Sequence, residues 1–349
     1  MSQSVLSLEK PSPVNLVPAT RPDNDVWVRS YCYVRTAMVG LLLGLGVAVL
    51  YQTWRQDWHP LGSVSAYYYT PAQGIFVGGL IGLGACMIAL KGTNDVEDIF
   101  LNLGGMFAAV VAIVPTSRGE DYTTAVLACQ ETGGSPLTQN ASTMDCPTVN
   151  ALAEASRANV DNNISTLLIV GAVGLIATGL FALRYRGLRR AGTSPLTNPS
   201  SPHKFWWGFG AALVVWAAGA VVFMAYRDWF ISNAHYIAAG GLFLCIVVVA
   251  MANAFRRKDT PATTDGSALA RTLSVVSEAT VDLIRPSRVD PYVWLARLML
   301  VAALAGIVLD LSHVISLFVL EIVVAGLFLG FWMWQTVERL PRPDPPAGR

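Results

Sequence analysis

The chain has 349 residues, of which 53% are hydrophobic and only 13% charged, with a net charge of +1 and a mean hydropathy of +0.48. Soluble domains carry about 25% charged residues, so this composition excludes an ordinary soluble protein and places the chain in a bilayer. The near-zero charge, with no basic run interleaved with aromatics, argues against nucleic acid as a partner.

Residues 1–25 and 339–349 bear Pro with Ser or Gly and are expected to be disordered tails around a membrane domain, 26–338. Within that domain, apolar segments near 36–54, 73–91, 98–116, 164–184, 206–226, 234–254, 292–311 and 316–335 are each long enough to cross about 30 Å of hydrocarbon. The expected fold class is therefore all-α, a polytopic membrane bundle of about eight helices. The first segment is not a signal peptide, because it follows a long polar stretch and lacks a small-residue cleavage site. With the N-terminus inside, only Arg55, Arg118, Arg157 and Arg227 of the 24 Lys and Arg fall on outer segments. This bias puts both termini in the cytoplasm.

The first span carries Gly40, Gly44 and Gly46 as a stripe for close packing, and Trp54 and Trp58 close it at the outer interface. His59 follows and reads most simply as a wet interfacial side chain. Next comes the run Ser63-Val64-Ser65-Ala66-Tyr67-Tyr68-Tyr69-Thr70-Pro71, suited to a membrane–water boundary where each phenol ring sits in acyl chains and its hydroxyl stays wet. The second span then presents Gly74, Gly78 and Gly82 at four-residue spacing, a surface another helix can approach closely. It stops at Lys91-Gly92. Thr93 or Asn94 caps the third span, whose first turn holds Asp95, Glu97 and Asp98, where the helix dipole favours negative charge.

Residues 117–163 make the one sizeable outer loop, with a short helix expected from Thr148 to Ala158. Cys129 and Cys146 both fall in it, and an oxidising exterior would let them pair. Such a bridge constrains the unfolded loop by about 3 kcal/mol. The segments 187–204 and 255–290 are inner linkers, the second containing an amphipathic stretch from Ala268 to Ile284.

Ionisable residues in apolar surroundings are costly, about 2.5 kcal/mol or more at full depth, and so mark candidate sites. Asp310 and His313 lie three apart around a tight outer turn, and Glu321 sits over a turn into the last span. Asp228 and His235 reach the same level from the fifth and sixth spans, and Ser63, Ser65, Tyr67, Tyr68 and Tyr69 from the entrance to the second. Together these ten are expected to line one polar pocket in the outer leaflet. The pocket reads as a hydrogen-bonded structural cluster, a site for a lipid headgroup or other small ligand, or a metal or proton-transfer centre. His and carboxylates suit zinc, but neither HxxxH nor HExxH is present, and no cofactor is expected. P-loop, GxSxG and Rossmann fingerprints are absent as well.

The run Ser63 to Pro71, Phe76-Val-Gly78, Lys91-Gly92 with Asp95-Val-Glu-Asp98, Val114-Pro-Thr116, Ala234-His-Tyr236 and Glu321…Phe331-Trp332…Gln335-Thr336…Glu338 resembles a group of uncharacterised bacterial multi-pass membrane proteins. Where that group often carries an arginine, Gln73 stands here. The resemblance implies the multi-pass architecture and assigns no activity. The leading expectation is a membrane protein that binds a lipid or other small ligand at the outer pocket, with membrane lipids as its partners. The alternatives are a membrane-embedded hydrolase acting on headgroups through His235, Asp310, His313 and Glu321, and a transporter.

Overall fold

A computed structural model of the chain describes residues 22–92, 94–116, 125, 127, 129, 146–190, 202–255, 291–311 and 317–339. Among the described residues there are eight α-helices and no strand: α1 (Pro22–Arg55), α2 (Gln73–Ala89), α3 (Asp95–Ile113), α4 (Cys146–Arg190), α5 (Pro202–Ala225), α6 (Arg227–Phe255), α7 (Pro291–Leu311) and α8 (Leu317–Arg339). A short 3-10 segment, Ser65–Tyr69, bridges α1 and α2. Six helices (α1, α3, α4, α5, α6 and α8) are long and apolar enough to cross a membrane, while α2 and the stretch Pro291–Ala302 of α7 are apolar but shorter. Each apolar segment of the sequence overlaps one helix.

Two helices run well beyond their apolar segments. Pro22 starts α1, as a residue without an N–H is tolerated in a first helical turn. The stem of α4 begins at Cys146, and no Gly or Pro interrupts Thr148 to Ser165, so the short helix expected there continues into the span. At 45 residues α4 is about 67 Å long, over twice a hydrocarbon core.

Six helices close a ring through successive packing contacts, α1–α2–α3–α6–α7–α8 and back to α1. The hairpin of α4 and α5 leans on the outside of α3. Met38, Met87, Leu101, Met299, Phe331 and Trp332 fill the ring interior. By contrast, Ile169, Val173, Ile176 and Phe181 of α4 are largely exposed, as lipid-facing residues of a span must be. The hairpin is held by Trp216, whose indole N–H donates to the Leu168 carbonyl at 3.0 Å and whose ring lies against Gly171.

Of the glycine stripes expected from spacing, only Gly82 meets a neighbouring helix: a Cβ there would lie 3.1 Å from the Leu41 side chain of α1. A side chain at Gly40, Gly44, Gly46, Gly74 or Gly78 would meet nothing within 4 Å. Instead α2 and α3 touch backbone to backbone at Gly84 and Gly105: a Cβ on Gly84 would lie 2.6 Å from the Gly105 carbonyl oxygen, and one on Gly105 would lie 2.5 Å from that of Gly84. Spacing marks which residues share a face, but only the partner helix decides which face is used.

Candidate functional site

The helix connections put two polar layers at opposite ends of the ring. At one end lie the close of α1, the 3-10 segment and the starts of α2, α6 and α8. At the other lie the starts of α3 and α7 and the ends of α6 and α8.

The first layer is built on the tyrosine run. After α1, Asp57 and Trp58 adopt left-handed backbone angles (φ 53° and 61°), and the Trp58 N–H returns to the Thr53 carbonyl at 3.0 Å. This reversal, followed by Pro60, turns the chain back across the ring mouth. The Ser63 hydroxyl accepts from the Ala66 N–H at 3.1 Å, at the start of the 3-10 segment. Tyr67 is fully buried: its hydroxyl bonds the Thr53 hydroxyl of α1, and its ring stacks on Phe318 of α8 at 6.0 Å. Glu321 holds the same segment from α8. One carboxyl oxygen accepts the Val64 N–H, and the other accepts the Ser65 hydroxyl at 3.4 Å. One turn earlier, the Phe318 N–H donates to the Gly62 carbonyl at 2.9 Å. Glu321 therefore latches α8 to this stretch by taking up the Val64 N–H, which precedes the first 3-10 hydrogen bonds.

Tyr69 reaches the other way. Its hydroxyl donates to the Thr116 carbonyl at 2.7 Å, and the Thr116 hydroxyl is 3.2 Å from that of Tyr236 on α6. Beside it His235, buried, bonds the Val114 carbonyl through Nδ1 at 2.6 Å. A carbonyl only accepts, so Nδ1 carries the proton. Of the ten residues expected in one pocket, Ser63, Ser65, Tyr67 and Glu321 thus gather on one side of the segment. Tyr69 and His235 gather on the other, and no hydrogen bond links His235 to Glu321. Tyr68, nearly buried between Tyr69 and Phe76, sits between the groups. The Tyr67 and Tyr69 hydroxyls are hydrogen-bonded, and Tyr68 is held by ring contacts. Asp228 stays apart at the surface, 84% exposed and 3.4 Å from Arg157 of α4. The Asp310 side chain and His313 lie outside the described residues, so the Asp310/His313 pair does too.

Between the 3-10 segment and the α4 stem lies a cavity of about 230 Å³, lined by Tyr68, Tyr69, Thr70, Gln73, Ser156 and Asn159. Ser156 and Asn159 are three apart and share a helix face. Cys129 and Cys146 are at disulfide distance (Cα–Cα 5.6 Å) and pack with Ala125 and Val149 at the foot of this stem. Among the described residues no three His, Cys, Asp or Glu side chains are grouped to hold a metal ion.

The second layer was not expected from the sequence. Asn94 caps α3 by accepting the Glu97 N–H at 2.8 Å, which turns Glu97 inward, where it is fully buried. Gln335 of α8 donates to Glu97 at 3.4 Å and to Asn253 of α6 at 2.9 Å. Arg35 of α1, also fully buried, bonds the Tyr31 hydroxyl and lies 5.0 Å above the Trp332 ring. Tyr292 of α7 bonds Glu338. Buried hydrogen bonds thus join α3, α6 and α8, Arg35 adds α1 through the Trp332 ring, and the exposed Glu338 ties α7 to α8, a clamp rather than a cavity. The signal was present as polar residues inside apolar spans, Gln335 and Asn253 above all, but Arg35 and Glu97 have ready explanations as flank and first-turn charges.

The described residues form an all-helical fold with two polar layers and six helices long and apolar enough to cross a membrane, the marks of a membrane-embedded protein. No protein-family model, curated protein or solved structure matches the chain.

Proposed function

We propose that the chain is a multi-pass protein of a bacterial inner membrane that binds the polar headgroup of a membrane lipid at its outer face. In this reading all eight helices cross the bilayer and both termini are cytoplasmic. The distribution of Lys and Arg supports that orientation, and it puts the tyrosine segment, the α4 stem and their cavity outside. The shorter α2, at 17 residues, is packed on both sides by α1 and α3, so its length need not match the lipid. The observation that carries the proposal is the cavity itself: hydrogen-bonding side chains from two separate segments converge on it, and the orientation proposed here would set it at headgroup level.

The rest of the first layer serves this cavity. Glu321, Tyr67 and Thr53 fix one end of the tyrosine segment, and Tyr69 with Thr116 fixes the other, so Tyr68 and Gln73 are presented from a rigid base. Filling the cavity tests the proposal. Native mass spectrometry of protein released from nanodiscs should find lipid retained on the wild type and lost from Ser156→Trp. Equal retention by the two proteins would contradict it.

A further inference from the structure

The geometry points to a neutral, polyhydroxylated headgroup, a sugar, as the ligand of this cavity. The inference rests on the headgroup reading above and adds the chemical class. Among the described residues its lining consists of two phenols, two aliphatic hydroxyls and two carboxamides, with no charged side chain. Two arginines of the described outer surface are paired with carboxylates, Arg157 with Asp228 and Arg227 with Asp161. Phosphate recognition draws on Arg or Lys donors aimed at the ligand, and none of the described residues lining this cavity is one.

The available groups fit hydroxyls instead. The Tyr69 and Thr70 hydroxyls already donate to the carbonyls of Thr116 and Tyr67. Four lining residues remain: the Tyr68 phenol, Ser156, and the carboxamides of Gln73 and Asn159. Each carboxamide offers a carbonyl acceptor and an NH2 donor side by side, which matches a hydroxyl that donates to one neighbour and accepts from the next. Gln73 and Asn159 come from opposite walls, α2 and the α4 stem, so a ring between them is gripped at two edges. The cavity of about 230 Å³ lies below the ~300–1,000 Å³ of drug-sized sites. It suits one small ring rather than an oligosaccharide.

A lipid is the source the fold favours over a free sugar. Ten residues beyond Asn159, about 15 Å along the same helix, α4 becomes exposed and apolar at Ile169, Val170 and Val173. An acyl chain below the bound ring would lie along that surface.

The test uses the full chain in phosphatidylcholine nanodiscs doped with either monogalactosyl diacylglycerol or phosphatidylglycerol, with bound lipid counted by native mass spectrometry. The glycolipid should be retained at least tenfold better than phosphatidylglycerol. Gln73→Leu and Asn159→Leu, both at exposed positions, should each lower that retention about tenfold. Gln73→Glu keeps an acceptor for hydroxyls, so it should preserve glycolipid binding while repelling phosphate. A preference for phosphatidylglycerol that the Leu variants abolish would overturn the sugar assignment and leave the headgroup reading standing. Retention of every lipid unchanged by all three variants would overturn both. Binding of soluble methyl galactoside as tight as that of the glycolipid would support the sugar and reassign its source from lipid to solution.

Discussion

Removing the Glu321 carboxyl should loosen the tyrosine segment without unfolding the ring. Glu321→Ala deletes the acceptor of the Val64 N–H and of the Ser65 hydroxyl. An unpaired buried donor costs about 1–3 kcal/mol, and Val64 is half-buried, so water offsets part of this loss. The bond to Ser65 is long and adds little. Two ties nearby survive, the Phe318 N–H to the Gly62 carbonyl and the Tyr67–Phe318 ring contact. The net loss should be about 2 kcal/mol, roughly 30-fold in the local opening equilibrium. Glu321→Gln keeps a carbonyl oxygen for the Val64 N–H and should lose only about half as much. Hydrogen exchange by mass spectrometry over 62–70, in detergent micelles, reads this directly: exchange there should quicken about 30-fold in the Ala variant while the α3 core is unchanged. Unaltered exchange in 62–70, or Gln as damaging as Ala, would refute the latch.

Gly84→Ala and Gly105→Ala should each destabilise the protein by about 1–3 kcal/mol in SDS-titrated unfolding, because each Cβ meets a backbone oxygen. Gly78→Ala, with nothing within 4 Å, should be neutral or stabilising by up to about 1 kcal/mol. In the closed layer, Glu97→Ala and Gln335→Ala should each be destabilising, and a double-mutant cycle by the same unfolding should give a coupling of about 0.5–3 kcal/mol. A coupling near zero would mean that Glu97 is held without Gln335. Replacing Cys129 and Cys146 with Ser should remove about 3 kcal/mol of loop constraint. Limited proteolysis should then cut 130–145 faster, as should reduction of the wild type.

The spans were legible because about twenty apolar residues in a row have few other uses, and each segment overlaps a helix. The capping of α3 by Asn94 followed from local chemistry alone. Side-chain partners were not legible in the same way. Glu321 was marked by its cost in an apolar run, but its acceptor role depends on Val64, 257 positions away. His235 was selected for the same reason and is absorbed by a single carbonyl at Val114, where the adjacent helix α3 ends. Gln73, Ser156 and Asn159, which line the cavity, look like ordinary surface residues until the unbroken α4 stem stands beside the tyrosine segment. The Arg35–Glu97–Gln335 layer hid behind adequate local explanations, a flank charge and a first-turn acid.

The central claim, an outward-facing headgroup site, is tested most directly by labelling. Ser156→Cys, placed in a chain lacking Cys32, Cys86 and Cys245, should react in intact cells with a membrane-impermeant maleimide, and added glycolipid should slow that reaction. Labelling only after the cells are permeabilised, or at a rate no lipid changes, would contradict the account.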